Sequence, residues 1–451
     1  MNVSLAQALR VHPSQTVAFV GAGGKTTAMF QLARELPPPV IITATSHLGA
    51  WQTRLADQHL IVMTAEPLEQ MQPVLNRVTL ITGELDGDRT RPIDDSVLER
   101  LHEFCGYHSI PLLIEADGSR TKPLKSWAEH EPPIPPFVEF VVQVVGLSSL
   151  GQPLNKEQVH RPELFAKLSD LALDDAVTPD SIARVLTHPE GGLQNIPLSA
   201  RRVALLNQAD TDELQSAARG LAQSLLPAYD AAIISSLAGE RIFAVYEPIA
   251  GIILAAGGSK RFGQPKQLLD WKGQSFVRVV AKTALEAGLD PVVLVAGAQA
   301  EQVRAAVADL NVRVVHNEDW ASGQGSSIRA GITSLIAPLP TAGSGHARPG
   351  GAIFLLGDQP QVTPSILRAL VERHAQGLYP IVAPMVMDQR ANPVLFDRAT
   401  FHDLLQLTGD VGGRAIFHKH RVEYLPWHDD RLLLDVDTPE MYQRLISDNS
   451  L

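Results

Sequence analysis

The sequence predicts two α/β domains, each built on a mostly parallel sheet, and three observations carry that expectation. At 451 residues the chain is longer than one ordinary hydrophobic core organises. Short apolar runs alternate with amphipathic stretches, as in residues 17–20 followed by a helical pattern through Leu36, and residues 291–295 followed by 300–309. That alternation is the rhythm of strand and crossover helix in parallel sheets. Both halves also open on an apolar run that empties into a glycine loop, at Gly21 and at Gly257. The domains are expected at residues 1–240 and 249–451, with a short join around residues 235–248.

Composition narrows the function classes. Hydrophobic residues at 45% and charged ones at 19% fit a soluble, folded protein, and no apolar run reaches the ~18 residues that span a bilayer. Residues 1–15 lack a basic segment followed by an apolar one, so a cytoplasmic protein without a membrane partner is expected. Cys105 is the single cysteine, which excludes an internal disulfide framework and a cysteine-rich metal site. A net charge of −11 argues against nucleic-acid binding; an anionic small ligand would need local cations or a divalent metal.

In the first half, residues 17–20 read as a buried strand leading into Gly21-Ala22-Gly23-Gly24-Lys25-Thr26-Thr27 and a helix. Loop amides and the helix N-terminus then face phosphates, Lys25 reaches them, and Thr26 ligates Mg²⁺. Phe19 stands where the first glycine of the usual P-loop belongs, so the loop is a shortened, P-loop-like version of the kind seen in some ligases that use ATP. A second strand, residues 40–43, ends near His47, a weak pocket candidate. Residues 111–114 end in Glu115-Ala116-Asp117, where such folds place the carboxylate that holds Mg²⁺ or orients water. Residues 138–146 form a further strand, and residues 159–163 open a helix. Residues 203–206 lead to Asn207-Gln208-Ala209-Asp210, similar to the N-K-x-D loop that holds a guanine base, with Gln208 in place of lysine.

The second half is organised around Gly251-Ile252-Ile253-Leu254-Ala255-Ala256-Gly257-Gly258-Ser259-Lys260-Arg261-Phe262-Gly263-Gln264-Pro265-Lys266. A buried strand ends in a glycine loop carrying Arg261 and Lys266, a place to hold a triphosphate. Its spacing is neither that of a P-loop nor that of a dinucleotide fold. Residues 312–315 form a strand followed by a polar loop with Asn317, Trp320, Gly323 and Ser326. Residues 352–356 present Asp358 at a strand's carboxyl end, where a carboxylate holds Mg²⁺ against phosphates. Residues 432–439 offer a second acidic strand end with Asp435 and Asp437, while residues 338–351 read as a surface loop and His418, His420 and His428 as surface histidines.

These motifs resemble two known families. Residues 21–27, 115–122, 160–163 and 207–210 are similar to those of YqeC, the accessory family associated with selenium-dependent molybdenum hydroxylases, over about residues 1–235. The resemblance implies nucleotide binding, with ATP or GTP, at Gly21, Gly23, Gly24, Lys25, Thr26, Thr27, Glu115, Asp117, Asn207 and Asp210. It also implies a helper role toward an apo molybdenum hydroxylase.

Residues 249–445 fill every fixed position of the L-A-A-G-x-S-x-R-x-G-x-x-K signature of nucleotidyltransferases, and resemble the molybdenum cofactor cytidylyltransferases of the MobA-like group. A Rossmann-like transferase domain is implied, using CTP and Mg²⁺ to act on molybdopterin. Arg261, Lys266 and Asp358 would be catalytic; Leu254, Ala255, Ala256, Gly257, Gly258, Ser259, Gly323 and Ser326 would bind the nucleotide. Asp358 and Asp437, the latter in the family's D-[IV]-D-T-P motif, would hold the metal, with Asp435 able to share that role. Arg390, Asn392 and Arg414, in stretches similar to the family's R-G-x-P and G-D-x-G-x-R, would bind the acceptor. L-A-A-G and G-D-Q-P set the chain apart from guanylyltransferase relatives. A transferase using GTP or a sugar or polyol phosphate, and a non-catalytic cofactor carrier, are the alternatives.

Overall fold

The computed structural model describes residues 3–64, 77–258, 262, 264–337, 348–436 and 438–447, and the chain divides into two units, Met1–Tyr246 and Glu247–Leu451. The first unit is layered around β1 (Thr16–Gly21), β2 (Val40–Ala44), β3 (Gln58–Ile61), β4 (Val78–Thr82), β5 (Leu112–Glu115), β6 (Phe140–Gly146), β7 (Arg201–Asn207), β8 (Ala231–Ser236) and β9 (Arg241–Tyr246). These strands join in the order β9-β8-β7-β6-β1-β5-β2-β4-β3. They pair in parallel except β8 with β9, which are antiparallel.

Central β1 is apolar without alternation because both its faces are covered: Val17, Ala18, Phe19 and Val20 have no exposure. The helices are α1 (Leu5–Leu9), α2 (Lys25–Glu35), α3 (Asp95–His108), α4 (Pro162–Ser169), α5 (Pro179–Thr187) and α6 (Asp212–Leu225). On α3 the spacing of Val97, Leu98, Leu101 and Cys105 makes one apolar stripe, which joins Ala18, Val20 and Ile114 in a buried cluster. Each such large side chain contributes roughly 1.5–3 kcal/mol on burial. The Cys105 thiol is pushed up to about 12 by burial, which leaves it a packing group rather than a nucleophile.

Two sequence expectations change here. Residues 159–163 open a helix only from Pro162, where α4 starts: Val159–His160 is a short strand on Leu124–Lys125, and Arg161 turns the chain at φ +64°. Residues 241–246, expected in the join, are strand β9, which pairs through backbone bonds with β8 despite its charged and proline-flanked ends.

The second unit is built on β10 (Ile249–Ala255), β11 (Val292–Ala296), β12 (Arg313–His316), β13 (Gly351–Leu356), β14 (Ile381–Val386), β15 (Gln389–Arg390), β16 (Val394–Asp397) and β17 (Val422–Pro426). The order is β12-β11-β10-β13-β16-β14-β15, with β17 beside β14. Pairs β10 to β12 with their neighbours, β10 with β13, and β14 with β17 are parallel; β16 runs against β13 and β14. Helices α7 (Phe276–Glu286), α8 (Gln324–Ile336) and α9 (Pro364–Ala375) cover the faces. The two apolar clusters split the sheet accordingly, one holding Ile253, Val280 and Leu367, the other Ile252, Ile328 and Phe354. Alternate residues of β10 therefore feed opposite cores, as a strand's twofold repeat requires.

The expected strand at residues 432–436 is absent. Asp430–Leu433 is a short 3₁₀ turn, capped by the Asp429 side chain on the Arg431 N–H, and the chain from Leu434 runs irregularly past the end of β13. Among the described residues, no helix is long and apolar enough to cross a membrane.

Candidate functional site

In the first unit, Phe19 of β1 lies opposite Glu115 of β5, so the glycine loop and the acidic run leave neighbouring parallel strands side by side. The loop reverses through Gly21, Gly23 and Gly24 at φ +93°, +84° and +123°. A Cβ on Gly23 would stand 2.3 Å from the Gly146 nitrogen. The amides of residues 21–23, expected to face phosphates, instead face the protein. Gly21 N–H donates to both Asp117 oxygens at 3.1 Å, Ala22 N–H to the Val144 carbonyl at 2.9 Å, and Gly23 N–H to the Lys122 carbonyl at 3.2 Å. The N–H groups at the start of α2, from Gly24 through Lys25, Thr26 and exposed Thr27, have no partner within the helix.

Lys25 is 4% exposed; its ammonium donates to the Gly21 carbonyl at 2.7 Å and pairs with Asp117 at 3.2 Å. Thr26 donates to Glu115 Oε2 at 3.2 Å and accepts from Gln52 Nε2 at 2.9 Å. Burial pushes the Glu115 carboxyl up, opposed by the Lys25 charge and helped by that of Asp117. Asp117 also accepts from Trp127 Nε1 at 2.8 Å and pairs with Lys125 at 3.0 Å. Lys125 reaches Glu131 at 3.2 Å, and Arg161 grips both oxygens of Glu131. Burial alone would raise the Glu131 carboxyl; Arg161 and Lys125 outweigh it and hold it down to about 2. The His160 imidazole is held low by burial and by the cations Arg161, Lys125 and Arg120.

Asn207 is buried, with Nδ2 donating to the Gly23 carbonyl at 2.8 Å and Oδ1 accepting from the Leu237 N–H at 2.9 Å, so its amide braces the loop. Asp210 is exposed and accepts from Ser236, and His47 is exposed. Sequence reasoning missed Gln52, Lys125, Trp127 and Glu131. The one available signal was a lysine in a short stretch with Leu124 and Trp127, a position where an unpaired charge would be costly if the stretch is buried.

In the second unit, Leu254 of β10 pairs with Leu356 of β13 in parallel register, so the Ala256-Gly257-Gly258 loop and the Gly357-Asp358 turn start from adjacent strand ends. Gly357 donates to the Leu254 carbonyl at 3.0 Å, and a Cβ there would stand 3.0 Å from that of Ala255. Asp358 is half-buried. Gln267, beside Lys266, donates to the Gly257 carbonyl at 2.9 Å, so the lysine's short 3₁₀ turn is tied back to the loop. Ser259, Arg261 and Asp437 lie outside the described residues. Asp435 is exposed and accepts from Gln359 Nε2 at 2.9 Å.

Gly323 adopts φ +114°, and a Cβ there would meet the Asp410 nitrogen at 2.4 Å, so the tryptophan loop and the Gly409–Arg414 stretch pack directly together. Ser326 is 3% exposed and spends its hydroxyl on the Gly323 and Asp319 carbonyls while accepting from Asn317 Nδ2 at 2.8 Å. It braces this loop from inside. Arg414 is exposed and donates to the Arg390 carbonyl at 3.2 Å; Arg390 lies over the Phe417 and Tyr424 rings, and Asn392 is half-buried beside it. His418 and His428 are exposed, whereas His420 bonds Asp403 at 2.8 Å. Among the described residues no three His, Cys, Asp or Glu side chains converge on a metal site.

Comparison with known proteins gives two family matches. The YqeC protein family matches residues 17–163, and the MobA-like NTP transferase domain matches residues 251–424. The uncharacterized protein YqeC of Escherichia coli strain K12 is 32% identical over 216 residues, 46% of this chain and 82% of that protein. A nicotine blue oxidoreductase of Paenarthrobacter nicotinovorans is 31% identical over 44% of this chain and 96% of its own length. The molybdenum cofactor cytidylyltransferase of Escherichia coli strain K12 is 26% identical over 42% of this chain and 91% of its own.

Proposed function

We propose that this chain, which belongs to the YqeC family through its N-terminal half and to the MobA-like NTP transferases through its C-terminal half, is a two-part factor in molybdenum cofactor maturation. The C-terminal domain transfers CMP from CTP to molybdenum-loaded molybdopterin, releasing pyrophosphate. The N-terminal domain binds ATP or GTP and assists delivery to an apo molybdenum hydroxylase. The observation that carries the transferase half is the pairing of Leu254 with Leu356, which brings a glycine loop and Asp358 to the carboxyl ends of two adjacent central strands.

The acceptor's terminal phosphate is already an oxyanion, so no general base is needed and the barrier is charge repulsion and alignment. Arg261, Lys266 and the Gly257 and Gly258 amides neutralise the triphosphate, and Arg390 and Arg414 hold the acceptor. An acceptor oxygen attacks the α-phosphorus in line, a P–O bond forms, and the bond to the β-phosphate breaks to give pyrophosphate. Oxygen donors suit Mg²⁺, and the half-buried Asp358 carboxylate fits that chemistry, with Asp437 as its partner ligand. When bound, the ion supplies charge neutralisation and polarises the phosphate.

Similarity to a protein named as an oxidoreductase favours a redox enzyme as the second candidate. Pyrophosphate release from a nucleoside triphosphate separates the two: release that is lost in Asp358→Ala at an unchanged melting temperature supports transfer through this site, and no release by the wild type overturns it.

A further inference from the structure

Behind the N-terminal loop, cations and carboxylates alternate in one chain of ion pairs, Lys25, Asp117, Lys125, Glu131 and Arg161. Lys25 and Lys125 flank Asp117 at 3.2 and 3.0 Å, and Lys125 and Arg161 flank Glu131. The side chains of Asp117 and Lys125 have no exposure, and Lys25 has 3%.

Lys25 is turned back onto the Gly21 carbonyl and Asp117, so it meets phosphates at the start of α2 only by leaving that carboxylate. A buried carboxylate stripped of its cation is strongly disfavoured. Lys125 removes the difficulty, because it is anchored independently by the Gly118 carbonyl at 2.7 Å and by Glu131 at 3.2 Å. Trp127 Nε1 and Gly21 N–H stay on Asp117 as well.

We propose that Lys125 is a positioning residue for the N-terminal site: it keeps Asp117 paired while Lys25 swings out to a nucleoside triphosphate. This rests on the nucleotide-binding role proposed above. Without Lys125, Asp117 has Lys25 as its one close cation and competes with the phosphates for it.

The test is hydrogen–deuterium exchange of the full chain, following peptides across residues 17–36 during titration with Mg-ATP and, separately, Mg-GTP. Reading those peptides separates the N-terminal site from nucleotide bound elsewhere. In the wild type, one of the two nucleotides protects them. Lys125→Met raises the midpoint about tenfold or more, and Lys125→Arg restores most of the affinity. In an Asp117→Asn background, Lys125→Met changes the midpoint by less than about threefold, because residue 117 then carries no charge that competes for Lys25. Equal losses in both backgrounds, or wild-type affinity in Lys125→Met, overturn the proposal while leaving nucleotide binding intact. Absence of protection in the wild type with either nucleotide overturns both. If Lys125→Met does not fold, Lys125→Gln takes its place in both backgrounds: a loss of about tenfold that shrinks below about threefold with Asp117→Asn supports charge balance, and equal losses or none overturn it.

Discussion

Gln359 donates from Nε2 to Asp435 Oδ1 at 2.9 Å, and that bond ties the G-D-Q-P turn to the D-V-D-T-P segment. Gln361 repeats the connection by donating to the Leu434 carbonyl at 2.8 Å. Both glutamines are nearly fully buried, at 3% and 6% exposure, so each donates from inside the fold to the segment that runs over it. Segments separated by more than seventy residues are thereby held at one strand end, where Asp358 and Asp437 are proposed to share a metal.

Gln359→Leu is expected to loosen that link. Pyrophosphate release should fall about tenfold to a hundredfold, and half-maximal activity should require more Mg²⁺, the size seen when groups orienting metal ligands are removed. A Mg²⁺ titration of the rate checks this. An unchanged Mg²⁺ dependence would place the bond outside the metal site.

Arg414→Ala should raise KM for the molybdopterin acceptor about tenfold or more while the KM for CTP stays nearly constant, since a charged hydrogen bond contributes roughly 1.5–3 kcal/mol. Initial rates with each substrate varied in turn give both constants. A matching rise in both would remove Arg414 from the acceptor side.

Gly23→Ala should destabilise the first unit by roughly 2–4 kcal/mol, because a left-handed position and a collision with backbone add together. The colliding atoms are Gly146 N and Cα, at 2.3 and 2.4 Å from the added carbon, and backbone in a buried strand cannot yield. Denaturant unfolding followed by tryptophan fluorescence measures the change.

Glu131→Gln should lower stability at neutral pH, and the deficit should vanish in acid. The Glu131 carboxyl is held down to about 2 in the folded chain, below its ordinary 4.5. Its charged form therefore stabilises the fold fully above about pH 4.5, and that contribution is lost as the pH falls through about 2. With solvent screening of a partly exposed pair, roughly 1–2 kcal/mol is expected at pH 7. The gap between the two melting curves should be full at pH 7, narrow below about pH 4.5 and close near pH 2. A constant gap would mean that packing, not charge, is lost.

Much of the sheet architecture was legible because parallel strands covered on both faces carry unbroken apolar runs, as in residues 17–20 and 292–295. The glycine loops and Asp358 were legible because ligand groups in such folds collect at strand ends. Strand β9 was not, since its short apolar run, buried at Ala244, Val245 and Tyr246, sits between Ala-Gly-Glu-Arg and Glu-Pro and so reads as part of a join. Nor was the inward turn of the Gly21, Ala22 and Gly23 amides, which depends on acceptors from Asp117, Val144 and Lys122, all distant in sequence. Lys125 went unnoticed for the same reason: its partners Asp117 and Glu131 meet it only in the fold.

The most direct test of the transferase assignment is pyrophosphate release by the full chain with Mg²⁺ and molybdenum-loaded molybdopterin, offered CTP, GTP and ATP in turn. Release with CTP alone, lost in Asp358→Ala without loss of fold, is the predicted result. Preference for GTP, or silence with all three nucleotides, would contradict it.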